Sequence, residues 1–195
     1  NHPPIEGTDA IDHATLHPGI WLAFGDLDGV DFWRNKSQVV HRRFLAAPIG
    51  GRGYGSFTQE KEYLRPDGSV VCTELFQCTF SVQADAYLIA WDSTFSGVQP
   101  FYFGDQEEMG LGVRLATSLS ELNGGSLRDS QGRMGAKEIW SQAAHWCDYS
   151  GTQEGELLGI TVMAHPDNFR PSWWHARNYG FMAANPFGRQ AMKKG

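Results

Sequence analysis

The sequence predicts an all-β fold, an antiparallel β-sandwich in a single domain that spans residues 1–195. Its 23 glycines and only 19% charged residues indicate many turns and few long solvent-facing helices. The 195 residues can bury one sizeable core but are too few for two ordinary domains. Roughly ten short apolar segments follow one another without alternating helices, which favours two packed antiparallel sheets.

A β-hairpin over residues 54–82 is the most clearly predicted element. Two alternating polar and apolar runs flank residues 65–69, where Pro66 presets φ for the turn and Gly68 accepts a positive φ. The two-residue period places one set of residues on one face of the second strand: Cys72, Glu74, Phe76, Cys78, Phe80 and Val82. Because Glu74 is the only charged member of this set, we expect it to lie at a sheet edge or to bind something.

Clusters of Gly, Asn, Asp and Pro separate the remaining predicted strands. A single short helix is predicted at residues 137–144, where Ile139, Trp140 and Ala143 recur at i, i+1 and i+4, although an irregular segment is the alternative. The predicted strands cover residues 19–24, 38–45, 87–95, 100–103, 111–119, 157–164 and 180–184.

Composition and charge exclude several classes of protein. A formal net charge of -6 argues against nucleic acid as a partner, because binding to phosphates depends on Lys and Arg. No window approaches the roughly 18 to 20 apolar residues of a membrane helix. Three cysteines without C-x-x-C spacing predict neither a disulfide framework nor a zinc knuckle. We expect a soluble protein; its compartment stays open, and removal of a signal peptide would make it periplasmic or secreted.

Several blocks occur in a characteristic order across almost the whole chain: HPGIWLAFGD at 17–26, GVDFW at 29–33, FGD at 103–105, DYSG at 148–151, WWHAR at 173–177 and NPFG at 185–188. Together they resemble the bacterial PmoA-like family, which is labelled methane oxygenase PmoA. That label borrows the name of a membrane-embedded subunit, whose architecture a chain without an apolar span cannot share.

The resemblance implies a large β-sandwich of the galactose-mutarotase type. Members of the family are expected to have strands before the first block and after the last one, so we expect this chain to be truncated at both ends. Many members also carry a histidine directly before the HPG block, whereas this chain has Leu16. The family's function is not established, and the resemblance therefore assigns no reaction.

Histidines and carboxylates are the candidates for acid-base catalysis. His13 and His17 are four residues apart, which allows either a ligand pair or two loop histidines satisfied by water or backbone. Pro18 ends any helix there, which excludes the helical metalloprotease motif. Glu108 leads into an apolar strand and belongs to a family block, although charged residues in turns are usually solvated.

The segment WWHAR combines side chains suited to sugars. In a strand, Trp173, His175 and Arg177 share one face while Trp174 packs into the core. An aromatic ring can stack on the apolar face of a sugar while Arg and His bind its polar groups. Trp21, Lys137 and Tyr149 complete the predicted ligand-binding set, although Lys137 could instead pair with Asp148 to fix a loop.

Two functions remain open. The first is a carbohydrate-processing enzyme that uses His-carboxylate chemistry, with or without a divalent metal. The second is a non-catalytic carbohydrate-binding or structural sandwich. The sequence predicts a small-molecule or carbohydrate ligand but no particular cofactor, substrate or oligomeric state. We expect a partly exposed His175, so that replacing it with Ala costs less than about 1 kcal/mol. The catalytic candidates are His13, His17, Glu108 and His175.

Overall fold

The computed structural model describes residues 4–10 and 15–194. In this part of the chain all strand pairs are antiparallel, and helix is limited to one α-helical turn, α1 (Ala136–Ile139), and short 3-10 turns, which confirms the all-β prediction. The strands are β1 (Ile20–Phe24), β2 (Gln38–Gly51), β3 (Tyr54–Leu64), β4 (Val70–Val82), β5 (Tyr87–Ser96), β6 (Met109–Arg114), β7 (Ser126–Asp129), β8 (Trp146–Gln153), β9 (Glu156–Met163), β10 (Trp173–Arg177) and β11 (Phe181–Asn185).

The chain divides into two compact units. Unit 1 contains residues 1–26 and 103–195, and unit 2 contains residues 27–102. The prediction of a single domain over residues 1–195 stays a prediction. Among the described residues, no helix has the length and apolar character needed to cross a membrane.

Unit 1 is a sandwich of two sheets around one core. The first sheet has the order β1-β6-β11-β10, and the second has the order β7-β8-β9. Side chains from both sheets form a single buried cluster, in which Trp174 of β10 is fully buried together with Met182 of β11 and Tyr149 of β8. The alternation of side chains along β10 therefore directs Trp174 into the core, as predicted, and turns its neighbours to the opposite face.

Unit 2 is one sheet with the order β2-β3-β4-β5. The predicted hairpin is confirmed: Arg65 N–H donates to Ser69 O at 2.8 Å, and Gly68 has a φ of 86°. One face carries aromatic rings from successive strands, with Phe57 5.5 Å from Phe76 and Phe76 4.2 Å from Trp91 between centroids. The opposite face carries polar side chains, so the sheet is amphipathic.

Other predicted elements need correction. Residues 100–103 form no strand. They make isolated backbone hydrogen bonds instead, such as the one that Asp28 N–H donates to Tyr102 O at 2.8 Å. The strand predicted at 111–119 ends at Arg114 and is followed by a 3-10 turn, Thr117–Leu119. The predicted helix 137–144 is the single turn α1. Strands β7 and β8 were not predicted, because their Asp, Ser and Gly residues are typical of turns.

The three cysteines are free thiols. Cys72 and Cys147 are buried, whereas Cys78 is partly exposed. Burial raises the pKa of the Cys72 thiol to about 12 and raises the pKa of Cys147 as well. Buried thiols with raised pKa values are poor nucleophiles, so these two residues are packing groups.

Candidate functional site

The outward face of the first sheet of unit 1 gathers several predicted site residues. The strand register aligns Trp21, Gly112, Ala183 and His175 in one row across β1, β6, β11 and β10. The indole of Trp21 lies over Gly112, where an added Cβ atom would be 2.5 Å from the ring. Glycine at this position therefore makes room for the tryptophan on the sheet.

Aromatic contacts connect the two described histidines on this face. The ring centroids of His17 and Trp21 are 4.5 Å apart, and those of Trp21 and Phe181 are 5.7 Å apart. Phe181 in turn contacts His175 edge to face at 4.9 Å. The structure thus brings His17, Trp21 and His175 to one face of one sheet. His13, the other predicted catalytic histidine, lies outside the described residues.

His175 is a buried, neutral imidazole. Its side chain is 4% exposed, and its Nδ1 donates to the carbonyl of Glu107 at 2.9 Å. Burial lowers the pKa of His175 to about 3; the nearby Arg177 cation acts in the same direction, and the bond to Glu107 opposes them. The expectation that His175 is partly exposed is therefore wrong, because Phe181 and the Glu107 segment pack against its ring.

The backbone carbonyls of His17 and Glu108 each accept a hydrogen bond. His17 is buried, adopts a φ of 56°, and its carbonyl accepts from Arg114 Nε at 3.2 Å. The Glu108 carbonyl accepts from Gly25 N–H at 2.8 Å, which places Glu108 immediately before β6 as predicted. It is Glu107, one residue earlier, whose carbonyl binds the imidazole of His175.

Trp173 begins β10 on the same outward face, but its ring already contacts two cations. Arg189 lies 5.5 Å and Lys193 5.7 Å from the ring, both in the segment that follows β11. Cations over an indole face are attracted by its quadrupole. Trp173 is therefore a less open stacking surface than the sequence predicted.

An open cleft of about 660 Å³ lies beside the end of β10. Its lining comes from separate parts of unit 1, which explains why no sequence motif marks it. Two of the lining residues, Arg177 and Lys137, were predicted to bind ligand. The complete lining is Glu107, Glu121, Leu122, Gly135, Ala136, Lys137, Trp140, Ala176, Arg177 and Asn178.

The backbone of β10 borders this cleft at Ala176, a residue that is 2% exposed. β10 is an edge strand, and its first half pairs with the segment after α1: Trp174 N–H donates to Gln142 O at 3.0 Å, and Ser141 N–H donates to Trp174 O at 2.9 Å. Backbone groups two residues apart in a strand point the same way, so Ala176 N–H and C=O also point away from β11. The described part of the chain supplies no partner for either group.

Trp140 and Arg177 form one wall of the cleft. The Arg177 guanidinium lies 5.7 Å from the Trp140 ring and 3.7 Å from the Glu107 carboxylate. Trp140 Nε1 is buried and has no hydrogen-bond partner among the described residues. Buried polar groups are nearly always paired, so the partner of this indole N–H is not among the described residues.

Two neighbouring residues, Tyr149 and Asp148, bind other parts of the chain. Tyr149 is fully buried beneath the cleft, where its hydroxyl accepts from Glu121 N–H at 2.9 Å and donates to Asn178 O at 3.0 Å. Burial raises its pKa to about 12, and these bonds make it a support instead of a ligand donor. Asp148 accepts from Thr161 Oγ1 at 2.7 Å, and among the described residues it forms no ion pair with Lys137.

A second polar cluster lies in unit 2 and was only partly anticipated. Glu74 is fully buried in the central strand β4, so the prediction of an edge position is wrong. Its carboxylate accepts from Tyr63 Oη at 2.8 Å and Ser93 Oγ at 2.6 Å, and pairs with Lys61 Nζ at 2.6 Å. The hairpin register, which sets Lys61 opposite Glu74, is the sequence signal that could have found this pair.

No group of three or more His, Cys, Asp or Glu residues able to hold a metal ion occurs in the described ranges 4–10 and 15–194.

Comparisons with known proteins yield one match. A family model described as "Family of unknown function (DUF6807)" matches residues 8–195. No curated protein and no solved structure matches the chain.

Proposed function

The chain belongs to DUF6807, a family of unknown function, and we propose that the cleft beside β10 binds a carbohydrate or a related polyhydroxy compound. One observation carries the proposal: the cleft combines hydrogen-bonding groups that have no partner among the described residues with an indole and two cationic side chains. Ligand sites typically pair an apolar surface with a few well-placed polar groups.

The unpaired groups suit hydroxyls in particular. A hydroxyl both donates and accepts, so it can bind a backbone N–H and C=O that point into the same space. Ala176 presents such a pair on the open half of β10, and Trp140 Nε1 adds a further donor. A ligand with several neighbouring hydroxyls would satisfy all three groups at once.

The charged residues orient such a ligand. Arg177 can donate to hydroxyl or carboxylate oxygens, and its position over the Trp140 ring combines a flat apolar surface with directed donors. Glu107 supplies an acceptor, and its carboxylate lies 3.7 Å from the Arg177 guanidinium. Lys137 is exposed on α1 and adds a second cation at the rim.

Acid-base catalysis on the bound compound is a second candidate function. It is favoured by the shared face of His17 and His175, which Trp21 and Phe181 connect. Because Nδ1 of His175 donates to Glu107 O, the neutral ring carries its lone pair on Nε2 and would act as a base, not as an acid. The burial of the ring makes catalysis the weaker of the two candidates.

A calorimetric titration with neutral and uronic acid monosaccharides and short oligosaccharides tests the proposal. We expect saturable binding by at least one member of this panel, and a loss of affinity in Trp140→Ala, which removes the indole. Trp173→Ala is the matched control, since Trp173 lies at the other end of β10 against Arg189 and Lys193. Equal affinity in Trp140→Ala and the wild type would contradict the proposal, as would the absence of binding across the panel.

The two candidate functions separate in a second experiment. His175→Asn keeps a side-chain donor near the Glu107 carbonyl but removes the basic nitrogen. If the protein only binds its ligand, this variant should retain affinity and the wild type should leave the bound sugar chemically unchanged. Conversion of the sugar by the wild type, abolished in His175→Asn with affinity preserved, would establish catalysis.

A further inference from the structure

The two edges of the sheet in unit 2 are built differently. Edge strand β2 has three register shifts against β3, carries Arg42 and Arg43, and contains Pro48. Bulges, charged residues and proline are the usual means by which an exposed edge is protected from pairing with another strand. Edge strand β5 pairs with β4 over all ten of its residues without a register shift. Only one of the two edges is therefore protected.

The first half of β5 is an exposed apolar run, YLIAW, from Tyr87 to Trp91. Tyr87 is 73% exposed, and Leu88 and Ile89 are each 43% exposed. Among the described residues, no backbone group of residues 87–94 has a hydrogen-bond partner on the side away from β4. A straight apolar edge with open backbone groups is a surface on which a further strand can pair.

The run is symmetric about Ile89, and this symmetry identifies the strand that fits it. Tyr87, Ile89 and Trp91 lie on one face of β5, while Leu88 and Ala90 lie on the other. In an antiparallel pair with a second copy, a two-fold axis at Ile89 sets Tyr87 opposite Trp91 and Leu88 opposite Ala90. Every opposed pair is then apolar and every side chain stays on its own face.

We propose that β5 is a self-association edge, at which two copies of this chain pair through residues 87–91 around a two-fold axis at Ile89. The pairing joins two four-stranded sheets into one of eight strands. No ionisable carboxylate, ammonium or guanidinium group lies within the run, so like charges do not oppose each other across the axis. An isologous contact of this kind closes after two copies and does not propagate.

Sedimentation equilibrium of the full chain over a range of concentrations tests the association. The wild type should dimerise, and Ile89→Lys should weaken the dimer at least tenfold, because it sets two ammonium groups against each other at the axis. Val98→Lys is the matched control: Val98 is 99% exposed and lies beyond the end of β5, so the dimer should persist. Circular dichroism spectra of all three proteins should coincide, which excludes unfolding as the cause.

Cross-linking tests the register. Residues at the axis face their own copies at a Cα separation that a disulfide can span, about 4.5–5.5 Å. Ile89→Cys should form a covalent dimer under mild oxidation, whereas Thr94→Cys, five residues from the axis, should not exceed the wild-type background. A wild type that stays monomeric would mean that the edge has another occupant and would overturn the proposal. A dimer that persists in Ile89→Lys, or cross-links better through Thr94→Cys, would overturn it equally.

Discussion

Two polar regions of the molecule differ in how their hydrogen-bonding groups are paired. One is the cluster around Glu74 in unit 2, and the other is the cleft beside β10 in unit 1. Glu74 is fully buried and has partners on three sides, from Tyr63, Ser93 and Lys61. In the cleft, Ala176 and Trp140 present groups for which the described chain offers no partner. The first cluster therefore serves the fold, whereas we propose that the second binds a ligand.

The closed cluster specifies how the hairpin pairs. Lys61 and Glu74 are directly opposite each other in β3 and β4, and Lys61 also lies 4.6 Å above the ring of Phe76. A shift of the register by one residue would place Lys61 and Glu74 on opposite faces of the sheet and break the ion pair. Breaking such a buried pair is costly because it leaves one charge uncompensated.

The largest effect is therefore expected for Lys61→Met. Removing the ammonium leaves the Glu74 carboxylate buried without its counter-charge, and the free energy of unfolding should fall by about 3–5 kcal/mol. The double variant Lys61→Met with Glu74→Leu removes both charges and should recover much of that loss. Urea denaturation measures both values. A loss below about 1 kcal/mol in the single variant would show that the cluster contributes little to the fold.

The next largest effect is expected on stability at acidic pH, because His175 is buried in its neutral form. Its folded-state pKa of about 3 lies below the usual value of 6.5, so between these values the unfolded chain binds a proton that the folded chain does not. The stability contributed by His175 is complete above pH 6.5 and is lost as the pH falls toward 3. Carboxylates also change the stability in part of this pH range. The contribution of His175 is therefore measured as the difference between the wild type and a variant that lacks the imidazole.

His175→Phe isolates this contribution. The variant keeps an aromatic ring in contact with Phe181 but cannot take up a proton. Thermal melts from pH 7 to pH 4 should show a smaller decline in melting temperature for His175→Phe than for the wild type. Parallel declines in the two proteins would mean that His175 is readily protonated in the folded state.

In the cleft, Arg177→Ala should weaken ligand binding at least tenfold while changing the free energy of unfolding by less than about 0.5 kcal/mol. The guanidinium is partly exposed, and its contacts with Glu107 and Trp140 are loose. Arg170→Ala removes an exposed guanidinium outside the cleft and should leave affinity unchanged. A large loss of stability in Arg177→Ala would assign the residue to the fold, like Lys61.

Sequence patterns predicted those parts of the fold and site that depend on local periodicity. The 54–82 hairpin followed from its turn residues, and the alternation in WWHAR correctly separated Trp174 in the core from His175 and Arg177 on the other face. These predictions rest on the two-residue period of a strand, which tertiary contacts do not alter.

The rest depended on contacts between distant segments. His175 is buried by the Glu107 segment, 68 residues away in sequence, and no local pattern reveals that cover. The open groups of Ala176 are backbone atoms, which residue identity does not report. Trp140 was predicted as part of a short helix, yet it becomes a wall of the cleft because α1 ends at Ile139 and leaves its ring beside Arg177.

Trp140→Phe tests the central contrast most directly, because it removes one unpaired N–H and keeps an aromatic ring. Since the N–H has no partner among the described residues, its loss should leave the free energy of unfolding unchanged or slightly raised. The affinity for the sugar identified by titration should fall several-fold in the same protein. A fall in stability of more than about 1 kcal/mol with affinity intact would show that the indole nitrogen serves the fold, and would contradict the assignment of the cleft to a ligand.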